Sequence, residues 1–474
     1  MSKAFRPAIA LTALLQCAGA HAAAPTLEDL WQVVQQQQKQ IATLTAELEK
    51  TRAALGETAS RAEAAAAKVD EVDAKVESTA DALEQVATGD EALATTNVPQ
   101  APTSVGSAAG RWGPISNRRT MAAGRWADRT TLGGYGELHY NALNDDAVAF
   151  DGAENDLNRA DFHRFVLFAS HTFNDWMRFA SEIEIEHAVI GDGENGEVAL
   201  ELAWLELDVN PRHHVRAGID ILPVGLLNLT HEPNTFYGVE RNPVEVEIIP
   251  SSWTEATVGA WGELGPGLAY NVYLHSGLVL PTAGGNAFRP RIGRLGVSNA
   301  DNQDAAVLGR LIYTGVPGLE LAATLDYQRD YTGTGDNAEA DAWLFETHAD
   351  WKHSSGLALR ALYARWELGS DRAAGLDPAA FNAETLQGWY IEPAYRFALG
   401  AIPGELGVFG RWQSWDERNQ LAAHRFESYD MATLGFNYWP HPQVVFKFDY
   451  QMQNASGPVA LERDGVNVGL GYQF

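Results

Sequence analysis

The chain has 474 residues, 46% hydrophobic and only 20% charged, with 44 Gly, 47 aromatic residues and a single Cys, a composition that excludes wholesale disorder and a disulfide scaffold. Its 34 Lys and Arg stand against 62 Asp and Glu, a formal charge of −28, which leaves no electrostatic footing on a phosphate backbone and makes nucleic acid an unsuitable partner. No apolar run reaches the roughly 20 residues of a spanning helix, whereas a transmembrane β-barrel averages to a polar chain and stays open as a class.

The first segment, 1–22, has the order of an export signal: Lys3 and Arg6, an apolar run from Ala8 to Leu15, and the small-x-small exit Ala20-His21-Ala22. Cys17 lies inside it, behind Gln16 where a lipoprotein site wants a small residue, so the mature chain is expected to carry no thiol. Loss of Lys3 and Arg6 leaves 32 basic and 62 acidic residues, a mature charge of −30.

Residues 23–88 are expected to form an α-helical coiled coil. Alternating steps of three and four from Leu27 to Val86 select eighteen positions, fourteen of them apolar, including Leu30, Val34, Ile41, Leu44, Leu48, Leu55, Val69, Val72, Val76 and Leu83. A stripe that narrow and that sustained suits a helical seam about 90 Å long, not a globular core. Leu at a with mixed residues at d, and polar Gln37, Thr51, Thr58 and Thr79 in the seam, favour three strands; a solitary solvated helix is the competing reading. Residues 89–130 lose all periodicity and carry Pro99, Pro102 and Pro114, as a linker would. Arg111, Arg118, Arg119, Arg125, Trp112 and Trp126 near its end could touch lipid headgroups.

From Thr131 the period is two, and it stays two to Phe474. Sixteen strands are expected, beginning near Thr131, Ala160, Trp176, Val198, His214, Trp253, Leu268, Ala305, Leu319, Asp341, Gly356, Leu386, Gly404, Tyr429, Gln443 and Asp464. The alternation is cleanest where Val444, Phe446, Phe448, Tyr450 and Met452 share one face and Lys447, Asp449, Gln451 and Gln453 the other. Period alone does not separate a sandwich from a barrel. Loop lengths do: connections after even strands are brief (174–175, 211–213, 265–267), those after odd strands long (143–159, 281–304, 368–385), the asymmetry of an all-β, sixteen-stranded antiparallel outer-membrane barrel. Trp176, Trp351, Trp366, Trp389, Trp415, Tyr438 and Trp439 fall at strand ends, where an aromatic girdle would lie. An even strand count puts both barrel termini, and with them the coiled coil, on the periplasmic side.

Residues 222–252 form one connection unlike the rest, Pro-rich and partly apolar, and are expected to fold inward as a constriction. His231-Glu232-Pro233, Phe236, Val239-Glu240-Arg241, Ile248-Ile249-Pro250, Trp253 and Glu255, with Gly133-Gly134-Tyr135-Gly136-Glu137 in the first strand, resemble the phosphate-selective porin O and P family over about 131–474. The resemblance implies a porin barrel, and the terminal Phe474 resembles the signal by which such barrels are handed to their insertion machinery. Phosphate selection in that family implies ladders of Arg and Lys, and here the sequence departs. The face opposite the apolar one offers Glu137, Glu182, Glu184, Glu186, Asp220, Glu255, Glu320, Asp326, Glu346, Asp350, Glu392 and Asp449, against Arg178, Arg216, Arg360, Arg396, Arg411 and Lys447. The constriction adds His231, Glu232, Glu240, Glu245 and Glu247 against Arg241. Such a lining would favour cations; equally, the carboxylates could keep the lumen wet and pair with the arginines.

His231-Glu232 lacks the second His of a zincin, and there is no Gly-x-Ser-x-Gly elbow or P-loop, so no enzyme, cofactor or metal is expected. His213-His214 falls in an expected turn and reads as a solvated pair. The expectation is therefore a homotrimeric outer-membrane porin, anchored among outer-membrane lipid with its coiled coil in the periplasm, passing small hydrophilic solutes and ions passively. The alternatives are an anion or phosphate channel, and a structural anchor whose coiled coil tethers a periplasmic or cell-wall partner.

Overall fold

A computed structural model of the chain describes residues 129–145, 157–191, 196–283, 286–298, 305–333, 340–370, 376–378, 383–418, 426–456 and 462–474. The export signal, the coiled coil and all but the last two residues of the linker lie outside these described residues.

The period-two pattern becomes strands, in order β1 (Thr130–Asp145), β2 (Leu157–Asn174), β3 (Met177–Glu186), β4 (Val198–Asn210), β5 (His213–Ile221), β6 (Thr254–Gly265), β7 (Leu268–His275), β8 (Ala306–Tyr313), β9 (Leu319–Gln328), β10 (Ala342–Lys352), β11 (Leu357–Leu368), β12 (Thr385–Ala398), β13 (Glu405–Arg418), β14 (Phe426–His441), β15 (Val444–Ser456) and β16 (Arg463–Gln473). Every strand pairs antiparallel with its sequence neighbours, and β1 pairs with β16, so the sheet closes into a sixteen-stranded barrel with no free edge. The seam extends one residue past β16: Phe474 N donates to Gly134 O at 2.9 Å and Gly134 N to Phe474 O at 3.1 Å.

The two faces of the wall are chemically inverted relative to a soluble protein. Leu138, Ile183, Val258, Val272, Leu311, Leu325, Phe345, Ile391, Trp412, Leu434, Phe446 and Val468 are exposed, while the charged residues between them are buried. A closed belt of exposed apolar side chains is what a barrel bathed in hydrocarbon requires and what water penalises.

Of the register shifts among the described strands, two lie away from the turns and move side chains between faces. Across β1 and β2, Glu137 faces Arg164 but His139 faces Asp161; across β3 and β4, Glu182 faces Leu202 but Ile183 faces Leu200. In the second, the inserted residue is Glu201, whose side chain turns inward beside that of Leu202, and both are buried.

The aromatic girdle is only partly as expected. Trp176 and Trp389 are exposed on the outer face, but Trp366, Trp415 and Trp439 are buried on the inner one. The reason is residue 222–252, which gives these rings an apolar surface inside the barrel: Trp366 donates from Nε1 to Ile248 O at 2.8 Å. Around Leu222, Val224, Val244, Ile248, Ile249, Trp253, Leu278, Leu280, Phe288, Leu344, Leu362, Trp366 and Tyr390 runs one continuous hydrophobic core, within the lumen. Part of the interior is thus packed protein, not the uniformly wet lining the alternation suggests.

Candidate functional site

The inward segment leaves β5 at Ile221 and returns at β6. Its single helical turn, Val244–Ile248, contacts β11, β12 and β13, and the chain before it reaches β1, β2, β14 and β15. Asp449 accepts from Val239 N at 2.6 Å, Asn437 donates to Phe236 O at 2.9 Å, Arg411 to Tyr237 O at 2.6 Å, and the Lys447 ammonium stands 3.4 Å from the centre of the Phe236 ring. Glycine makes this approach possible. A Cβ on Gly471 would lie 2.4 Å from Pro233 Cβ, and one on Gly469 would lie 3.1 Å from Val239 Cγ1.

Among the segment residues expected at a constriction, Glu240 and Arg241 lie side by side on the inner face of the segment. Both border a cavity of about 740 Å³ at the end of the barrel carrying the long loops, together with Glu137, His139, His163, Glu184, Glu186, Arg291 and Arg294. A second cavity, about 430 Å³ and lined by Leu226, Thr235, Arg310, Glu320, Asp350 and Arg360, lies at the turn end. Glu240 Oε1 is 3.0 Å from His139 Nδ1 and accepts from Asn141 Nδ2 at 2.9 Å. Burial alone would raise the Glu240 carboxyl, but the rings of His139 and His163 and the Asn141 amide outweigh it and hold it at about 2. Arg241 is pushed below its ordinary value by burial first and by Arg164 second, and donates to Ser251 Oγ at 3.1 Å. Arg294, above it, is lowered to about 10 by burial and then by Arg291.

Glu245 departs from expectation. It is buried inside the segment, its Oε2 accepting from Leu226 N at 2.7 Å and Leu227 N at 2.6 Å and its Oε1 from the Tyr390 hydroxyl at 2.7 Å. A carboxylate so saturated is a staple of the loop, not part of a polar lining. Glu247 pairs with Arg289 at 2.8 Å, Glu232 is buried, and His231 is buried against β4.

The wall carboxylates and arginines face each other across neighbouring strands, where the register makes them partners. Arg164 bonds Glu137 at 2.5 Å and lies 3.6 Å from Glu184; Arg178 and Arg216 both bond Glu206 at 2.6 Å, Arg178 also meets Asp208, and Arg216 meets Asp220 at 2.9 Å. Glu320 pairs with Arg310 at 3.3 Å, Asp350 with Lys352 at 2.8 Å and Arg360 at 3.4 Å, and Glu392 with Arg411 at 2.6 Å. Glu255 accepts from Trp253 Nε1 at 2.8 Å, Asp326 meets His275 at 2.7 Å, Glu346 meets His348 at 2.6 Å, and Asp449 accepts from Asn467 at 2.8 Å. Arg396 pairs with Glu405 at 2.6 Å on the exposed turn rim, while Glu182 is buried and Glu186 half-buried.

Arg164, Glu201, Glu206 and Arg310 belong to the same inner face and were missed by alternation. The bulges explain Arg164 and Glu201, because one inserted residue moves a side chain to the other face. His214 is also not solvated: it is buried in β5, stacked on Trp261 at 4.1 Å and 2.5 Å from Asp208. Among the described residues, three groups offer ligand atoms close enough to share a cation: Asp161, His163 and His187; Glu182, Glu201 and His231; and Glu206, Asp208 and His214. In the third, Arg178 and Arg216 already supply positive charge.

No family model matches the chain. An uncharacterised protein of Aquifex aeolicus (strain VF5) is 29% identical over 337 residues, 68% of this chain and 74% of that one. Among solved structures, the outer-membrane channel DcaP of Acinetobacter baumannii covers 73% of this chain and 97% of its own at 14% identity and a TM-score of 0.47. The anion-selective porin from Comamonas acidovorans covers 73% and 99% at 12% identity and 0.47. OmpF of Salmonella typhi, in complex with daunomycin, covers 73% and 97% at 14% identity and 0.48.

Proposed function

We propose that the chain is an outer-membrane porin through which small hydrophilic solutes and ions diffuse passively, with general to cation-leaning selectivity. The observation that carries this is the inversion of the wall: a closed ring of strands, apolar and exposed outside, charged and buried inside. The mechanism is a steric and electrostatic filter at Glu240 and Arg241, between the cavity of about 740 Å³ and the turn end.

Cation preference rests on two features. The chain is strongly acidic, and Arg178, Arg216, Arg360 and Arg411 each face a carboxylate, so their charge is neutralised locally and does not form the basic ladder that phosphate selection needs. In this reading the short turns face the periplasm, the coiled coil of 23–88 lies there too, and three copies assemble into the working channel.

Reconstitution of the purified full chain in a planar bilayer tests the proposal. Stepwise conductance with a reversal potential on the cation side under a salt gradient supports it; absence of conductance in folded, inserted protein overturns it in favour of an anchor.

A further inference from the structure

We propose that Glu182, Glu201 and His231 form a divalent-metal site, suited to Zn²⁺, that fastens the inward segment to the barrel wall. The three residues come from three places: Glu182 from β3, Glu201 from the bulge of β4, and His231 from residues 222–252. One ligand atom from each lies within 4.8 Å of the others, and the residues are 0%, 3% and 0% exposed.

The hydrogen bonding of His231 fixes what its ring offers. Nδ1 is 2.9 Å from the carbonyl oxygen of Asn228, which can only accept, so Nδ1 carries a proton and donates. In the neutral ring Nε2 is then a lone pair, and it is buried with no hydrogen-bond partner, 3.4 Å from Glu201 Oε2. Two acceptors facing one another out of water require a cation between them. Both Glu201 oxygens are buried and make no close hydrogen bond, with Ser252 and the Arg164 guanidinium in their surroundings.

A proton on Nε2 would satisfy the pair only in part. It would occupy the His231–Glu201 contact alone, whereas a metal ion also takes the ligand atom that Glu182 brings to the same point. The 3.4 Å between His231 Nε2 and Glu201 Oε2 also fits a metal better: charge-assisted N–H···O bonds run at about 2.7–2.9 Å. Two ligands held at 2.0–2.1 Å by a tetrahedral ion sit about 3.3–3.4 Å apart. One nitrogen and two carboxylate oxygens are a donor set for Zn²⁺, with the fourth position left to water. A ligating His that donates its other nitrogen to a backbone carbonyl is the usual support for such a site. Arg164 bonds the His231 carbonyl oxygen at 2.5 Å and Glu137 at 2.5 Å, so it ties the segment to the wall at the same residue, and its charge also reaches Glu201.

The inference stands apart from the porin reading, because it concerns how the segment is held and not what passes it. Its test is zinc retention. Purified full-length chain in detergent is stripped with a chelator, incubated with Zn²⁺, desalted and assayed for metal. The wild type, His187→Gln and His214→Gln are expected to retain one zinc per chain. Glu201→Gln and His231→Gln should lose it, their affinity falling by more than the roughly 10–100-fold that loss of a ligand's supporting partner costs. X-ray absorption of the loaded wild type, which needs no variant to fold, should show an all-nitrogen and oxygen shell at about 2.0–2.1 Å with one imidazole. No zinc on the wild type, retention unchanged in Glu201→Gln and His231→Gln, or loss on His187→Gln would overturn the site.

Discussion

At the scale of the residue, the segment is held by a few buried polar groups that each satisfy several partners. Glu245 is the clearest: replacing it with Ala removes the acceptor of Leu226 N and Leu227 N. Each orphaned buried donor costs about 1–3 kcal/mol. The change is expected to destabilise the fold by about 2–6 kcal/mol, read as a lower thermal midpoint and faster proteolysis within 222–252, with Glu245→Gln milder because one oxygen remains. Glu240 gives a pH signature. Its carboxyl is held at about 2 against an ordinary 4.5, a depressed value, so its ionised form stabilises attachment to β1 fully above about 4.5 and that contribution is lost as pH falls toward about 2. The difference in thermal midpoint between wild type and Glu240→Gln should therefore be constant from pH 7 to 5 and shrink below. A difference that disappears near pH 7 would contradict the His139 and His163 environment described for Glu240.

At the scale of the element, the sixteen strands were legible because one face of each must meet hydrocarbon and the other must not, and a period of two records that demand directly. The inward path of 222–252 is legible as an apolar segment too costly to leave in water. Three things were hidden. A bulge leaves no mark in the alternation, so the alternation does not place Glu201 and Arg164 on the inner face. A Trp at a strand end looks the same whether it meets lipid or an inserted loop, so the sequence does not distinguish the buried Trp366, Trp415 and Trp439 from girdle residues. Whether a carboxylate faces water or a backbone amide depends on the path of the segment, as Glu245 illustrates. The glycines of β16 make that path testable. Gly471→Val puts a branched side chain where Pro233 lies, and displacement of the segment should raise single-channel conductance and its noise. Phe236→Ala, which removes the ring under Lys447, should act in the same direction more weakly; unchanged conductance in both would show that 222–252 does not set the narrowest point.

At the scale of the whole molecule, closure removes every sheet edge, and the outward apolar belt fixes the barrel in a bilayer. The interior is divided: a packed hydrophobic core around Trp253 and Trp366, and a charged remainder lined by Glu137, Glu184, Glu186, Glu240 and Arg241. Traffic in this account is confined to the charged part, which makes the channel narrower than a sixteen-stranded ring alone implies. If the seam from Leu27 to Val86 joins three chains, conductance steps should come in threes, and deletion of 23–88 should weaken the trimer without abolishing conductance.

The measurement that bears most directly on the central claim is the reversal potential of the reconstituted full chain under a salt gradient, repeated for Glu240→Gln. Stepwise current is expected, with a cation-leaning potential in the wild type and a shift toward anions in the variant. No current from inserted protein, or an anion-preferring current that phosphate blocks, would contradict it.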